Sequence, residues 1–269
     1  MRPAPSRGPA PSALLHFVRL AARERLAERG AILARAVFYG LILFVFSRLW
    51  GAITHDVGGS RLAVHQLVWY LAITEWLVLS PPPLYTDVEA DVRQGDLAYR
   101  LARPVPYPLA KLAEGLGDLL VRMATLAGPG FGFAWLLTGC LPAEPLLMLW
   151  ILPLGLLAGV LTLLVYFAVG LTSFWLHDCR PVFWIWQKCT FILGGLLVPL
   201  ELYPAWLREL ALASPFAALL HGPGSIALGH GHGHALRALA LLAAWILVAA
   251  LGLRWAFGRS LTRLEIGGG

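Results

Sequence analysis

The chain has 269 residues, of which 58% are hydrophobic and only 13% are charged. An ordinary soluble domain carries about 25% charged residues, and disordered chains are poor in hydrophobic residues, so the composition excludes both classes. One membrane span uses ~20 mainly apolar residues, and the length accommodates six spans but no further soluble domain of ordinary size. We therefore predict a single all-α integral membrane domain.

The basic residues point to a membrane rather than to nucleic acid. The formal net charge is +6, but Lys and Arg cluster at the ends of apolar runs, where positive charge sets membrane orientation. Cys140, Cys179 and Cys189 are too few and too dispersed for a disulfide framework or a zinc site. We expect no metal, no cofactor and no nucleic-acid partner.

The N-terminal region divides into two parts. Residues 1–12 are rich in Pro, Ser and Arg and are expected to form a disordered tail. Residues 13–30 predict an amphipathic helix, with Leu14 and Val18 on one face and Arg19 on the other. Such a helix suits a membrane surface, although packing against another part of the protein explains the same pattern.

The remainder is predicted to be a six-span domain over 31–260 with a cytoplasmic tail over 261–269. The predicted spans cover residues 36–53, 62–80, 119–140, 146–176, 182–200 and 238–257. Three consecutive prolines end the second span because proline cannot continue a helix. The fourth span is longer than a bilayer requires and must tilt or protrude.

The distribution of Lys and Arg predicts the orientation. If the N-terminus is cytoplasmic, 17 of the 21 Lys and Arg lie in cytoplasmic segments or adjoining span ends, as the positive-inside rule requires. The four exceptions are Arg48, Arg61, Arg208 and Arg237. Both termini are therefore predicted to be cytoplasmic.

No catalytic motif is visible. A Walker A motif needs a Lys between Gly and Ser or Thr, and neither Lys111 nor Lys188 has that context, so the chain is not expected to hydrolyse ATP. His230, His232 and His234 alternate with glycine and offer imidazoles to a metal. The glycines favour a flexible solvated loop instead, and we predict no metal site.

Three ionisable residues fall within predicted spans, namely Glu75, Arg122 and Lys188. At ~1.5 Å per residue they lie within ~10 Å of the same inner face. They either form a buried polar cluster that lines a cytoplasmic cavity, or the two basic chains extend to the headgroups while the glutamate finds a local hydrogen bond. The sequence leaves both interpretations open.

The long polar loop after the second span predicts two short helices. Thr86 and Glu89 have the spacing of a capping box at the start of the first helix. Gly95 is placed to end this helix. Asp96 is placed to cap a second helix, which stops before Pro104. A capped amphipathic pair is typical of a docking element, and a helix lying on lipid has the same pattern.

Two sequence blocks resemble a known family. DVEADVRQGDLAYRLARPVPYPL is similar to the cytoplasmic loop of bacterial ABC type-2 transporter permeases, and GGLLVPLELYPAWLRELALASPFAALLHGP to their segment after the fifth span. The matching residues are Glu89, Gly95, Asp96, Tyr99, Leu101, Arg103 and Pro104 in the first block, and Gly195, Pro199, Pro204, Trp206, Pro215, Phe216 and Pro223 in the second. The likeness, with the six-span layout, covers roughly residues 30–269.

The resemblance implies a permease subunit of an ABC exporter in the bacterial cytoplasmic membrane, surrounded by lipid. Its partners would be a cytosolic P-loop ATPase and a second permease chain, like or unlike. Residues 13–30 would be an elbow helix on the inner leaflet. The loop residues that would couple to the ATPase are Asp87, Glu89, Arg93, Gly95, Asp96, Arg100, Arg103 and Pro104. A short re-entrant hairpin on the outer side would contain Pro199, Pro204 and Pro215.

The resemblance names no substrate, because a fold does not fix a function. The alternative is a stand-alone membrane protein, either a lipid-modifying enzyme or a secondary carrier. An enzyme should show a clustered acid, base or metal constellation, and a carrier often shows internal repeats. Neither feature is visible in this sequence.

Overall fold

The computed structural model describes residues 11–56, 63–142 and 144–267, and all regular structure within these ranges is helical. The α-helices are α1 (Pro11–Ala27), α2 (Arg29–Asp56), α3 (Val64–Leu79), α4 (Leu84–Arg93), α5 (Asp96–Leu101), α6 (Tyr107–Thr138), α7 (Ile151–Leu171), α8 (Ser173–Leu176), α9 (Arg180–Leu193), α10 (Ala205–Leu212), α11 (Pro215–Leu219), α12 (His221–Gly224) and α13 (His232–Gly267). Single 3-10 segments cover Leu147–Trp150, Leu200–Leu202 and Ser225–Leu228. The predicted all-α architecture is confirmed.

Four of the described helical stretches are long and apolar enough to cross a membrane. They are Arg29–Ala52, Tyr107–Thr138, Leu147–Leu176 and His232–Ser260. These stretches contain nearly all of the first, third, fourth and sixth predicted spans. Apolar composition alone was sufficient to locate them, because ~20 apolar residues in one helix satisfy the backbone inside a bilayer.

The second and fifth predicted spans are helical but shorter than expected. α3 has 16 residues and α9 has 14, so they reach about 24 and 21 Å, less than the ~30 Å hydrocarbon core. α9 ends at Leu193 because the chain turns at Gly194 and Gly195, the latter with a left-handed φ of 68°. The count of six spans therefore stays a prediction.

The helix that contains the predicted third span begins 12 residues before that span. α6 begins at Tyr107, just after Pro106, and the 12 residues that looked like polar loop form its first three turns. The charged residues of these turns are tolerated because they pair with one another or with neighbouring elements, as Lys111 does with Glu114 at 3.2 Å. The polar loop is accordingly shorter than predicted.

α3 is the centre of the fold. Its residues from Leu67 to Leu77 are all buried, and it packs against α2, α6, α12 and the 3-10 turn that follows α12. The Trp76 indole N–H donates to the Met123 carbonyl of α6 at 2.9 Å, and the Tyr39 hydroxyl of α2 donates to the Ala72 carbonyl. These bonds satisfy polar groups that burial would otherwise penalise.

The predicted elbow helix corresponds to α1, which packs along α6. At the crossing a Cβ on Gly117 would lie 2.3 Å from the Val18 carbonyl oxygen, so only glycine permits this approach. Residues 1–10 of the predicted tail lie outside the described residues. At the other end α13 continues to Gly267, so most of the predicted C-terminal tail is helical.

Candidate coupling surface

The loop between α3 and α6 forms a helical hairpin, α4 and α5, whose first helix begins earlier than predicted. α4 starts at Leu84 directly after Pro83, and the Thr86 hydroxyl donates back to the Pro83 carbonyl at 2.7 Å. The predicted capping box is wrong, because the run of prolines ends at Pro83 and lets the helix begin two residues before Thr86. Glu89 thus lies inside the helix.

The turn between the two helices forms where it was predicted. Gly95 has φ 79° and ψ 1°, a left-handed conformation that glycine adopts without strain. α5 follows at once and ends three residues before Pro104. Asp96 is its first residue rather than its cap, and its side chain makes no capping hydrogen bond.

α4 is held against α7 by a close backbone crossing. A Cβ on Gly170 of α7 would lie 2.6 Å from the Val88 Cβ and 2.9 Å from the Tyr85 carbonyl. The Tyr85 ring also stacks on Phe183 of α9, with 4.1 Å between centroids. The hairpin therefore rests on α7 and α9, and a displacement of α4 is transmitted to both.

A buried charge network ties the hairpin to α6. The Asp91 carboxylate lies 3.2 Å from Arg100 Nε and 3.4 Å from Lys111 Nζ. It also accepts a hydrogen bond from the Tyr107 hydroxyl at 2.9 Å. Lys111 also pairs with Glu114. Two carboxylates thus meet two cations, and the pairing offsets much of the cost of removing these charges from water.

Under α4, Glu89 is buried rather than displayed to solvent. The Cys179 thiol donates to its carboxylate at 3.3 Å, and Arg93 pairs with it at 3.5 Å. Burial, together with this hydrogen bond to a carboxylate, raises the pKa of Cys179 to about 12. Cys179 is therefore an unreactive thiol that packs against the hairpin.

A second ion-pair group joins α1 to α6. Asp118 accepts from Arg122 on its own helix at 2.7 and 2.9 Å, and from Arg25 of α1 at 2.7 Å. A cleft of about 410 Å³ separates α1 from the hairpin. Its walls partly desolvate Asp87 and raise the pKa of that carboxyl, an effect that Lys111 opposes.

Most of the predicted coupling residues are exposed, and three of them, Asp87, Arg103 and Pro104, also line clefts that face α1. Those that are exposed are Asp87, Arg93, Gly95, Asp96, Arg103 and Pro104. Arg100 is half-buried against Asp91, and Glu89 lies beneath the surface. Tyr99, which is 72% exposed, lies under the Arg103 guanidinium at 5.6 Å from the ring centroid, a cation–π geometry.

The three intramembrane residues Glu75, Arg122 and Lys188 are not joined by any hydrogen bond or ion pair in the described part of the chain. Arg122 pairs with Asp118 instead. Lys188 is exposed on α9, with its ammonium 5.5 Å from the Trp184 ring centroid, and Glu75 is buried in α3. The predicted spans did not suggest this ion pair, because Asp118 lies directly before the predicted third span.

The prolines after α9 each introduce a helical turn. Pro199 precedes the 3-10 segment Leu200–Leu202, Pro204 precedes α10, and Pro215 opens α11. Backbone carbonyls at the start of this segment bond to the middle of α3, where Tyr70 donates to Gly195 at 2.6 Å and Thr74 to Leu196 at 2.9 Å. The segment thus reaches about halfway along α3.

Sequence reasoning missed the residues that anchor the hairpin and α1 to α6. Asp91, Tyr107, Lys111 and Asp118 were assigned no role. The contacts of Asp91 with Tyr107 and Lys111, and of Asp118 with Arg25, join different helices, and the spacing of these residues in the chain does not predict them. One usable signal was present: apolar flanks around Lys111 and Asp118 indicate burial, and a buried charge requires a partner. Among the described residues no group of three His, Cys, Asp or Glu can hold a metal ion.

Comparison with known proteins assigns the family. A family profile described as an ABC-2 family transporter protein matches residues 36–267, which is most of the chain. None of the curated proteins matches the chain significantly. The resemblance seen in the loop and in the segment after α9 is thereby confirmed. The chain belongs to the ABC-2 transporter family, whose members form the membrane part of ABC transporters and act with an ATP-binding partner.

Proposed function

We propose that this chain is the permease subunit of an ABC exporter in the bacterial cytoplasmic membrane. Both termini and the α4–α5 hairpin face the cytosol, where the hairpin docks into a groove of a P-loop ATPase. A second permease chain, like or unlike, completes the pathway. The 17-to-4 distribution of Lys and Arg supports this orientation.

The observation that carries the proposal is the combination of an exposed recognition face and a buried anchor in one hairpin. Tyr99 and Arg103 form an exposed stacked pair beside Asp96, and Tyr and Arg are the residue types that most often dominate binding energy at interfaces. Asp91 joins α4 to α5 through Arg100 and fixes the hairpin to α6 through Lys111 and Tyr107.

The contacts of Asp91 and Gly170 connect the docking hairpin to the long helices. α4 packs against α7 at the Gly170 crossing, and α5 is joined through Asp91 to the first turns of α6. A force applied by the ATPase to the exposed face therefore reaches two long helices. A helix lying on lipid has no need of this internal connection.

The double variant Asp96→Ala with Arg103→Ala tests the docking assignment. Both side chains are exposed, so membrane insertion and expression should stay normal. Loss of one member of a desolvated charge pair at an interface costs ~2–5 kcal/mol, so the ATPase retained per permease should fall at least tenfold. Retention is measured by affinity capture from native membranes and quantitative mass spectrometry of co-purified P-loop proteins.

Arg208→Ala with Glu209→Ala in α10 is the matched control, because it removes two exposed opposite charges on the segment after α9. This control should retain the ATPase at the wild-type level. Equal retention in both variants would overturn the coupling assignment. Robust ATP hydrolysis by the purified chain, with no second polypeptide present, would overturn the permease assignment itself.

A further inference from the structure

A groove of about 370 Å³ lies between α1, α6 and α7. Every side chain of its lining is apolar, and the three helices contribute, among others, Leu15, Leu116 and Leu163. Leu15 and Leu109 are 47% and 43% exposed, so the groove opens to the surroundings of the protein. Because α6 and α7 belong to stretches that can cross a membrane, the groove favours an apolar occupant from the bilayer over water.

The first turns of α6 present different sides to the groove and to the α4–α5 hairpin. Leu109, Leu112 and Leu116 have the spacing of one helix face, and all three line the groove. Lys111 and Glu114 alternate with them along the chain and belong to the ion-pair network under the hairpin. The groove is therefore separate from the charged surface that was assigned to coupling.

The shape of the groove is fixed by the way in which α1 lies on α6. The backbone of Val18 approaches Gly117 so closely that an added Cβ would lie 2.3 Å from the Val18 carbonyl oxygen. Further along α1, Arg25 donates to Asp118 of α6 at 2.7 Å. Two contacts thus hold α1 at a set distance from α6, and an occupant of the groove finds its walls already in place, which favours binding.

The charges of α1 are separated by helix face. At about 100° per residue, Arg19 and Arg23 lie on the side of Leu15, one and two turns further along the helix. Both are exposed, and neither has an ion pair in the described part of the chain. Glu24 lies on the opposite side and lines the cleft beside the hairpin. The edge of the groove is therefore basic, which suits an occupant that has an anionic group next to an apolar chain.

We propose that the groove holds one acyl chain of an anionic phospholipid whose phosphate binds Arg19 and Arg23. Guanidinium groups bind phosphate through paired N–H donors. At ~1.5 Å per residue, Leu163 lies about 10 Å from Gly170, where α4 crosses α7, so a chain in the groove leaves its headgroup near the level of the hairpin. The inference requires a membrane, which the family establishes, but neither the ATPase nor a direction of transport. Lipid binding and ATPase capture are separate measurements, so either proposal can fail alone.

The headgroup preference is measured by photo-crosslinking. The full chain is reconstituted in phosphatidylcholine nanodiscs that contain a trace of phosphatidylglycerol with a diazirine in its acyl chain. One basic residue near an anionic surface strengthens binding about fivefold, so Arg19→Gln with Arg23→Gln should lower the crosslinking yield about 25-fold. Arg29→Gln with Arg254→Gln is the matched control, because it removes two exposed arginines that do not line the groove, and it should keep the wild-type yield. A phosphatidylcholine probe with the same diazirine should give at least tenfold less product.

The position of the crosslinks separates a bound lipid from the lipid that surrounds any membrane protein. Peptide mass spectrometry should place them in residues 109–116 and 160–164, at least tenfold above the exposed face of α13. Ala113→Phe, which fills the groove, should remove them, whereas Ala250→Phe on the exposed face of α13 should not. Crosslinks spread evenly over α6, α7 and α13 would overturn the proposal. Equal yields from the two probes, or an unchanged yield in the Arg19 and Arg23 double variant, would also overturn it, whether or not Ala113→Phe folds.

Discussion

The two polar regions of this protein contact different parts of α3 and differ in how their charges are paired. The hairpin follows the C-terminal end of α3, and the segment after α9 packs against its middle. In the α4–α5 hairpin and the α6 turns beneath it, each buried carboxylate of the described residues meets a cation, as Asp91 meets Lys111 and Asp118 meets Arg122. In the segment after α9, Glu201 and His230 keep buried atoms without a partner. The buried carboxylates of the first region are all paired, although Arg25 Nε, 2.7 Å from Asp118 Oδ1, makes no hydrogen bond of good geometry. The second region leaves atoms of both a carboxylate and an imidazole unpaired.

The difference in charge pairing indicates what each region is suited to do. A paired network has one preferred arrangement and moves as a unit, because separating one member leaves a buried charge uncompensated. A buried polar atom without a partner carries a desolvation cost that no contact offsets. The paired network is therefore the region suited to transmit a force.

The largest expected effect is a difference in the alkylation rates of two native cysteines, Cys179 beneath the hairpin and Cys140. Cys179 is buried beside Glu89 with a pKa of about 12, whereas Cys140 is exposed. At pH 8 a thiol of pKa ~12 is ionised to only about one part in ten thousand, and the buried sulfur is also shielded from the reagent. Iodoacetamide should therefore modify Cys140 at least a hundredfold faster, as measured by peptide mass spectrometry in detergent. Rates within tenfold of each other would contradict the buried position of Cys179.

Titration of the Cys179 thiol makes the free energy of unfolding depend on pH. Because its folded pKa lies above the unfolded value, the protonated form contributes stability below about pH 8.5, and this contribution declines between pH 8.5 and 12. Chemical denaturation at pH 7.5 and 9.5 should show a loss at the higher pH. Cys179→Ser, whose hydroxyl does not titrate in this range, should reduce that loss.

The next largest effect is a loss of stability on substitution of Asp118, which pairs with two arginines. Asp118→Asn keeps the shape but leaves Arg25 and Arg122 without their shared carboxylate, and breaking a buried ion pair costs about 3 kcal/mol. The mid-point of unfolding in mixed micelles should fall accordingly. Asp96→Asn, at an exposed position without an ion pair among the described residues, is the matched control and should be neutral. Equal losses in the two variants would show that the pairing contributes nothing.

The sequence was sufficient wherever one local rule decided the structure. Apolar length located the four long helices, and Gly95 marked the turn between α4 and α5 because glycine adopts φ 79° without strain. Pro104 marked the end of the second short helix. In each case the deciding residues lie next to one another in the chain.

The sequence failed where distant residues decide. The early start of α6 depends on the pairing of Lys111 with Asp91, 20 residues earlier, and the place of α1 depends on Gly117 and Asp118. Glu201, His221, His230 and His234 lie close together in the segment after α9, and nothing in their spacing predicts it. Such contacts are properties of the packed molecule rather than of any segment.

The smallest effect, and the most local one, is expected at Gly95. No atom lies within 4 Å of an added Cβ at this position, so Gly95→Ala creates no clash and costs only the strain of a left-handed residue, about 1 kcal/mol. Amide exchange in residues 84–101 should accelerate about fivefold, while exchange in α7 stays the same. Gly95→Asn should show a smaller change, because Asn tolerates the left-handed region. Gly252→Ala, in a helix interior with equally open space around it, should slow exchange or leave it unchanged, since Ala is the better helix former. An identical response at both glycines would mean that the turn at Gly95 does not need its positive φ. It would contradict a fixed geometry of the α4–α5 hairpin.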